Sequence, residues 1–414
     1  MKTIEPLILK TYRAAVELRR ATDRQVKMAL QIMASELEAQ YKVLLRANAK
    51  DVGRQDPDNP RTDRLLLNEQ RIRAIAKSIR KVRSLPDPSG KLLDKRTLPN
   101  GLKVEKRAVP LGVVGAIYES RPNVTFDIAA LCLRSRNGCL LKGSQEANDT
   151  NKAAVAIIKK ALKASGIHPD CVTLLPAERE TVEELFTATR WVDVLIPRGS
   201  DSLIRYVRAN SQVPVIETGA GVCHVYVEAA ADLDMAVDIV VNAKVSRPSV
   251  CNSMDTLLVD AAVAPAFLRR VQAPLQEYGV EIFADAVSGK LLKGYPFLQK
   301  AAPADYAREF LSLKCAIKVV RNIDEALEHI QRYSTRHSEA IVSRSKQQCE
   351  RFLAEVDAAA VYANASTRFT DGEELGLGAE IGISTQKLHA RGPFALEKLV
   401  TEKWVIRGTG QIRE

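Results

Sequence analysis

Seven cysteines are the side chains best suited to covalent chemistry in this sequence, and their surroundings separate them. Cys132 lies in the apolar helical run Ile128 to Leu133. Cys139, Cys171, Cys223 and Cys315 enter or lie within segments that read as strands, and Cys349 sits on a charged helix. In such places cysteine serves as a small hydrophobe. Cys251 differs: it follows a helical stretch and a proline in Ser246-Arg247-Pro248-Ser249-Val250-Cys251-Asn252-Ser253, a polar segment leading into the strand Thr256 to Val259. A thiolate is the reactive form, and a nearby cation such as Arg247 lowers a thiol pKa from its reference of about 8.5. Cys251 is therefore the candidate nucleophile, against the alternative of an inert loop thiol.

A second candidate stands in Tyr118-Glu119-Ser120-Arg121-Pro122-Asn123-Val124-Thr125, at a strand-to-helix junction. Asn123 would be a good helix N-cap. It would equally be an amide donor at the carboxyl end of a sheet strand, where α/β folds hold their ligands. Neither GxGxxG nor a Walker A motif occurs, so the usual phosphate cradles are missing. Pro197-Arg198-Gly199-Ser200 before a helical stretch offers a weaker one, with backbone amides, a helix dipole and the Arg198 cation. The odd cysteine count without metal-like spacing reads as reduced thiols, no disulfide framework and no metal.

Such groups need a layered fold to position them. Residues 1 to about 83 read as helices broken by the polar, proline-containing loop Asp51 to Asp63, and Leu85-Pro86-Asp87-Pro88-Ser89-Gly90 closes that section. Beyond it, short apolar runs at Gly112 to Tyr118, Cys139 to Lys142, Val172 to Leu175, Val192 to Ile196 and Val213 to Ile216 alternate with helix-length stretches. That is the pattern of parallel βαβ units in a doubly wound sheet. A second series, His224 to Val227, Thr256 to Val259, Cys315 to Val320, Ala340 to Val342 and Val361 to Tyr362, predicts a second α/β domain. Leu102 to Val109 and Val400 to Arg407 alternate polar and apolar residues, as an arm between subunits would, or two edge strands of one sheet.

The bulk numbers bound the function. At 414 residues the chain exceeds one compact core, and 46% hydrophobic with 27% charged residues is ordinary for a globular protein. No apolar run reaches the roughly 18 residues of a membrane span. Lys10, Arg13 and Glu17 interrupt any signal-peptide core between Met1 and Leu18, so a cytoplasmic protein is expected. The net charge of +11 raises nucleic acid as a partner, but the bases are interleaved with acids and aromatics are only 5%. The densest basic stretch, Arg71 to Arg83, carries Ile72, Ile75, Ile79 and Val82 at helical spacing, so its charges read as a solvated helix face. The expectation is no nucleic acid and no membrane. A basic surface suits small anionic molecules instead.

Five segments taken together resemble the γ-glutamyl phosphate reductase (glutamate-5-semialdehyde dehydrogenase) family of the aldehyde dehydrogenase superfamily. They are Val109-Pro110-Leu111-Gly112-Val113-Val114-Gly115, Arg121-Pro122-Asn123-Val124-Thr125, Leu141-Lys142-Gly143-Ser144, Arg247-Pro248-Ser249-Val250-Cys251-Asn252 and Gly378-Ala379-Glu380-Ile381-Gly382-Ile383-Ser384-Thr385, the last continuing through Lys387-Leu388-His389-Ala390-Arg391-Gly392-Pro393. The resemblance spans essentially the whole chain. It implies an aldehyde dehydrogenase-like α/β fold: a Rossmann-type cofactor domain (residues 1–96 and 110–228), a catalytic domain (229–396) and a small β oligomerisation arm (97–109 and 397–414). The implied reaction is NADPH-dependent reduction of L-glutamyl 5-phosphate to glutamate 5-semialdehyde with release of phosphate, the second step of proline biosynthesis.

By the same resemblance Cys251 is the nucleophile, and Asn123 with the Cys251 backbone amide stabilises the oxyanion. Lys142, Ser144 and Ser200 match cofactor-contacting positions, and Glu309 in Arg308-Glu309-Phe310-Leu311 resembles the glutamate near the nicotinamide ribose. Arg121 and Arg247 are candidates for the substrate's anionic groups, because guanidinium forks suit carboxylate and phosphate. Structural ion pairing is their alternative. Gln145 stands where NAD-using relatives often place an acid, which favours NADPH. Ser246 and Met254 depart from the pattern, where a glutamine and a smaller residue are expected. Glu217-Thr218-Gly219 resembles the general-base segment of hydrolytic aldehyde dehydrogenases. Glu217 is thus a general base or a cofactor-positioning group, and a water-resolved thioester stays open as the rival reaction. The expected protein partners are a second copy of the chain and glutamate 5-kinase, which makes the labile acyl phosphate.

Overall fold

The computed structural model describes residues 3–56 and 62–413, so part of the expected Asp51–Asp63 loop lies outside the described residues. The chain divides into two units. One comprises Met1–Thr218, Gly376–Gly382 and Phe394–Glu414, and the other Gly219–Leu375 and Ile383–Pro393.

In the first unit the N-terminal segment is helical, as its periodicity predicts. Helix Asp23–Ala39 opens on a capping box in which the Thr22 and Gln25 side chains satisfy each other's backbone amides. Helix Glu69–Ser84 buries Ile72, Ile75, Ile79 and Val82 and leaves Arg73 and Lys77 exposed, so the basic stretch is a solvated helix face. Strands β1 (Leu92–Thr97) and β2 (Lys103–Pro110) form an antiparallel pair, and the C-terminal strand Val400–Arg407 adds to the other edge of β2. The two alternating segments therefore pair with each other in one sheet. The third strand, β1, starts at Leu92, earlier than the expected arm.

Four parallel strands, β3 (Val113–Tyr118), β4 (Gly138–Lys142), β5 (Val172–Leu174) and β6 (Val194–Arg198), form the main sheet of this unit in the order β5-β4-β3-β6. Val213 to Ile216, read as a strand, makes only an isolated bridge between Leu195 and Val215. Pro214 at its centre has no N–H to give a ladder.

The second unit carries a seven-stranded parallel sheet. Its strands are β7 (Cys223–Val227), β8 (Met254–Asp260), β9 (Glu281–Ala284), β10 (Leu298–Lys300), β11 (Lys314–Val320), β12 (Ser338–Val342) and β13 (Ala360–Ala363), in the order β10-β9-β11-β8-β7-β12-β13. β9 and β10 escaped the sequence reading because they are short, half polar and at the sheet's edge. β7 pairs with β8 and β12, so the change of unit falls at Thr218/Gly219 rather than after residue 228. Helices cover both faces, burying Val225, Leu257 and Phe267 on one side and Tyr226, Leu258 and Phe352 on the other. A parallel sheet in each of two α/β units is the outcome that the alternating runs predict, the first series as a doubly wound sheet and the second as a further α/β domain.

Candidate active site

In the first unit the chain passes from β3 to β4 and β5 on one side and then to β6 on the other. Such a reversal opens a crevice at the carboxyl ends of the strands, the place where α/β sheets take ligands. The loops leaving β3, β4 and β6 carry Glu119 to Arg121, Gly143 to Ser144, and Gly199 to Ser200. They are tied together. The Glu119 carboxylate accepts from the Ser200 backbone N–H at 2.9 Å and from the Ser200 hydroxyl at 2.7 Å, and the Ser120 and Ser144 hydroxyls lie 3.3 Å apart.

One consequence corrects the sequence reading. Ser200 caps helix Asp201–Asn210, and its amide already faces a carboxylate, so Pro197 to Ser200 is not a vacant phosphate cradle. A cavity of about 210 Å³ lies instead against Gln55, Arg64, Ser120, Arg121, Ser144 and Glu146. It brings two of the predicted residues, Arg121 and Ser144, together with an unpredicted cation, Arg64. Lys142 ends β4 with its ammonium buried, donating to the carbonyls of Gly143 at 3.2 Å and Ala177 at 2.8 Å. Burial lowers its pKa, opposed by Glu178, Glu146 and Glu180.

Asn123 is exposed at the start of helix Pro122–Arg134, whose N-cap is Arg121, so the capping reading of Asn123 is incorrect. Its Nδ2 donates to Asp127 Oδ2 at 3.0 Å, one helical turn further on. Burial pushes the Asp127 carboxyl up to about 6, while hydrogen bonds from Asn123 and Ser78 and the charge of Arg198 hold it down. Glu217 makes an ion pair with Arg208 at 3.4 Å.

In the second unit Cys251 lies in the turn between helix Leu233–Val245 and β8 and is half-buried rather than fully exposed. None of the seven cysteines is disulfide-bonded, and the other six are buried. The backbone around Cys251 is clamped. The Cys223 thiol donates to the Cys251 carbonyl at 3.2 Å, and Gly221 packs directly against the same carbonyl. The Gly221 N–H donates to the Glu309 carboxylate at 2.8 Å, which brings Glu309 into the cluster around Cys251.

The next residue is fixed from another direction. Asn252 donates to the Thr370 carbonyl at 2.9 Å and accepts from the Thr367 hydroxyl at its own carbonyl at 2.7 Å. The Arg368 guanidinium holds the Asn252 side-chain oxygen and reaches the Ser246 hydroxyl at 3.1 Å. Ser246, a departure from the expected pattern, thus accepts from Arg368. Met254, the other departure, opens β8 fully buried. Arg247 is exposed, and burial followed by the Arg247 charge lowers the pKa of Arg368. Two guanidiniums therefore share the neighbourhood of Cys251.

Glu119, Asp127, Gly221 and Arg368 were not singled out from the sequence, and Cys223 was read only as a small hydrophobe in a strand. Asp127 had a legible signal, its spacing of four from Asn123 on a predicted helix. Arg368 had none, being 122 positions from Ser246.

Residues 4–286 match the aldehyde dehydrogenase family. Gamma-glutamyl phosphate reductase of Pelodictyon phaeoclathratiforme is 50% identical over 418 residues, covering 100% of this chain and 99% of its own. The same enzyme of Legionella pneumophila is 51% identical over 388 residues, 93% of each chain. The crystal structure of gamma-glutamyl phosphate reductase from Thermotoga maritima superposes with a TM-score of 0.96 at 41% identity, covering 100% of both chains. An acetylating aldehyde dehydrogenase from Geobacillus thermoglucosidasius shares the fold, with a TM-score of 0.72 at 16% identity over 99% of this chain and 97% of its own. No helix among the described residues is long and apolar enough to cross a membrane.

Proposed function

The chain belongs to the gamma-glutamyl phosphate reductase family, within the aldehyde dehydrogenases, and on that premise we propose that it reduces L-glutamyl 5-phosphate to L-glutamate 5-semialdehyde through a thioester on Cys251. The observation that carries the reading is 50% identity along the whole chain to relatives of that one activity. Fold likeness alone would leave the substrate open.

The Cys251 thiolate attacks the acyl carbon. A C–S bond forms, the bond to the phosphate oxygen breaks, and phosphate leaves. Asn123 and the Cys251 backbone amide donate to the oxyanion, and losing one such donor costs on the order of 3 kcal/mol of transition-state stabilisation. NADPH, when bound, would supply the hydride that turns the thioester into the alkoxide form of a thiohemiacetal. Collapse of that adduct breaks the C–S bond, returns the thiolate and frees the aldehyde. Arg121 and Arg247 are assigned to the substrate's anionic groups, with Arg368 added beside Arg247.

The residues present fit the cofactor. The cavity at Ser120 and Ser144 is lined by the cations Arg64 and Arg121 together with the carboxylates Glu119, which Ser200 engages, and Glu146, and Lys142 spends two of its three N–H groups on carbonyls. Gln145 is exposed and neutral, so nothing at that position repels a 2′-phosphate. Lys142 and Ser144 would hold the cofactor, with Glu309 toward the nicotinamide ribose. Ser200, saturated by Glu119 and the helix it caps, would shape the loop around it.

The first unit is then the cofactor-binding domain and the second the catalytic domain. The three-stranded arm bears Trp404 and Ile406 exposed on one face, apolar side chains suited to a second copy of the chain. We place the enzyme in the cytoplasm, in the second step of proline biosynthesis, beside the kinase that supplies its unstable substrate.

The deciding experiment runs the reaction backwards with glutamate 5-semialdehyde and NADP⁺, with and without phosphate. Turnover should require phosphate or arsenate, because the thioester of an acyl-phosphate reductase is resolved by that anion. Rapid phosphate-independent formation of glutamate, abolished by Glu217→Gln, would establish the hydrolytic dehydrogenase instead.

A further inference from the structure

We propose that Asp127 is a positioning residue that fixes the orientation of the Asn123 amide, so that one N–H of Asn123 faces Asp127 and the other is presented to the reacting acyl oxygen. The inference rests on the reading of Asn123 as an oxyanion donor.

A primary amide has a donor nitrogen with two hydrogens and an acceptor oxygen, and a half-turn about its last side-chain bond exchanges them. At an exposed helix start that exchange would cost little. Asp127 lies one turn away with its Oδ2 at 3.0 Å from Asn123 Nδ2. An ionised carboxylate only accepts hydrogen bonds, so it selects the orientation in which nitrogen faces it. The remaining hydrogen on that nitrogen then points away from Asp127. With the amide reversed, its oxygen would meet a carboxylate on one side and a developing oxyanion on the other, both repulsive.

Asp127 is itself held in place. Its chain neighbours Phe126 and Ile128 are fully buried, which fixes the helix backbone. The Ser78 hydroxyl and the Arg198 charge also favour its ionised form. Arg198 further offsets the negative charge that Asp127 would otherwise place near an oxyanion. Burial raises the Asp127 pKa to about 6, so ionising this group in the fold opposes stability at neutral pH.

The test uses the full chain in four forms, the parent, Asn123→Ala, Asp127→Ala and the double variant, assayed with glutamate 5-semialdehyde, NADP⁺ and phosphate. We expect Asn123→Ala to lower kcat about a hundredfold. Asp127→Ala should lower kcat about tenfold with all three KM values unchanged, yet cost less than twofold in the Asn123→Ala background. Asp127→Asn should abolish any rise of kcat with pH centred near the Asp127 value of about 6, which in the parent follows ionisation of the carboxylate. An equal loss from Asp127→Ala in both backgrounds, or a KM effect with kcat untouched, overturns the positioning role. An Asn123→Ala variant within threefold of the parent overturns the oxyanion reading on which it rests.

Discussion

Gly221 meets Cys251 backbone to backbone: a Cβ built on Gly221 would fall 1.6 Å from the Cys251 carbonyl oxygen and 2.6 Å from its carbonyl carbon. Main-chain atoms cannot swing aside as a side-chain tip can, so a methyl group there must move the Cys251 turn. Gly221→Ala should cut reduction more than a hundredfold, about 2.7 kcal/mol of barrier, and change the rate at which iodoacetamide labels Cys251. Gly219→Ala is the control, since its Cβ would meet only the Thr385 side chain, at 3.3 Å. Parent-like activity in Gly221→Ala would mean that this contact does not set the nucleophile.

Two cysteine substitutions should part chemistry from packing. Cys251→Ala should abolish reduction while leaving the thermal midpoint near the parent's, because the side chain is only half-buried. Cys132→Ala, at a fully buried helix position, should keep activity and lose about 1–2 kcal/mol of stability through the gap left behind. More than about a hundredth of the activity surviving in Cys251→Ala would contradict the covalent route, since losing a covalent nucleophile should cost several kcal/mol.

Cofactor choice is checked by comparing kcat/KM for NADPH and NADH. NADPH should be preferred, and Gln145→Glu should narrow the gap about tenfold, or ~1.4 kcal/mol, by placing a carboxylate where a 2′-phosphate would sit. Equal efficiency with both cofactors in the parent would defeat the assignment.

Acid stability should follow two buried histidines. Burial lowers the pKa of His329 to about 3 and that of His337 to about 4, from 6.5. Because these folded-state values lie below the unfolded one, the unfolded chain takes up protons first as pH falls. Their contribution is complete above about pH 6.5 and is lost progressively toward the folded values, at about 1.4 kcal/mol per pH unit for each histidine. His329 packs against Tyr306 and Tyr333 with ring centroids 5.0 and 4.6 Å away, and neither of its ring nitrogens has a hydrogen-bond partner. Phenylalanine should fit there. Urea unfolding of His329→Phe between pH 6.5 and 5 should therefore show a shallower decline than the parent, by about one histidine's share. An unchanged slope would show that His329 does not control it.

The sequence by itself determined most of the elements and singled out Cys251 as the candidate nucleophile. Alternating apolar runs and helix-length spacers specified two parallel α/β sheets, because a buried parallel strand must be apolar on both faces. Cys251 stood out because its neighbours are polar and those of Cys132 are not, and the Arg247-to-Asn252 segment together with the C-terminal stretch through Pro393 specified the family. Local pattern failed where one residue outweighed its neighbours, as Pro214 did in an otherwise strand-like run, and where β9 and β10 were too short to carry a period.

Only the tertiary structure decided how the candidates are held. That Glu119 fills the amide end at Ser200, that Lys142 is spent on carbonyls, and that Arg208 engages Glu217 are long-range or loop contacts with no periodic signature. The clamp on Cys251 by Gly221 and Cys223, and the approach of Arg368 to Asn252, join segments far apart in the chain. Hydrophobic pattern is written in neighbours three, four or two residues apart and can be read locally. Hydrogen-bond partners at a site are chosen by the packing of whole sheets, so they emerge only once the chain is folded.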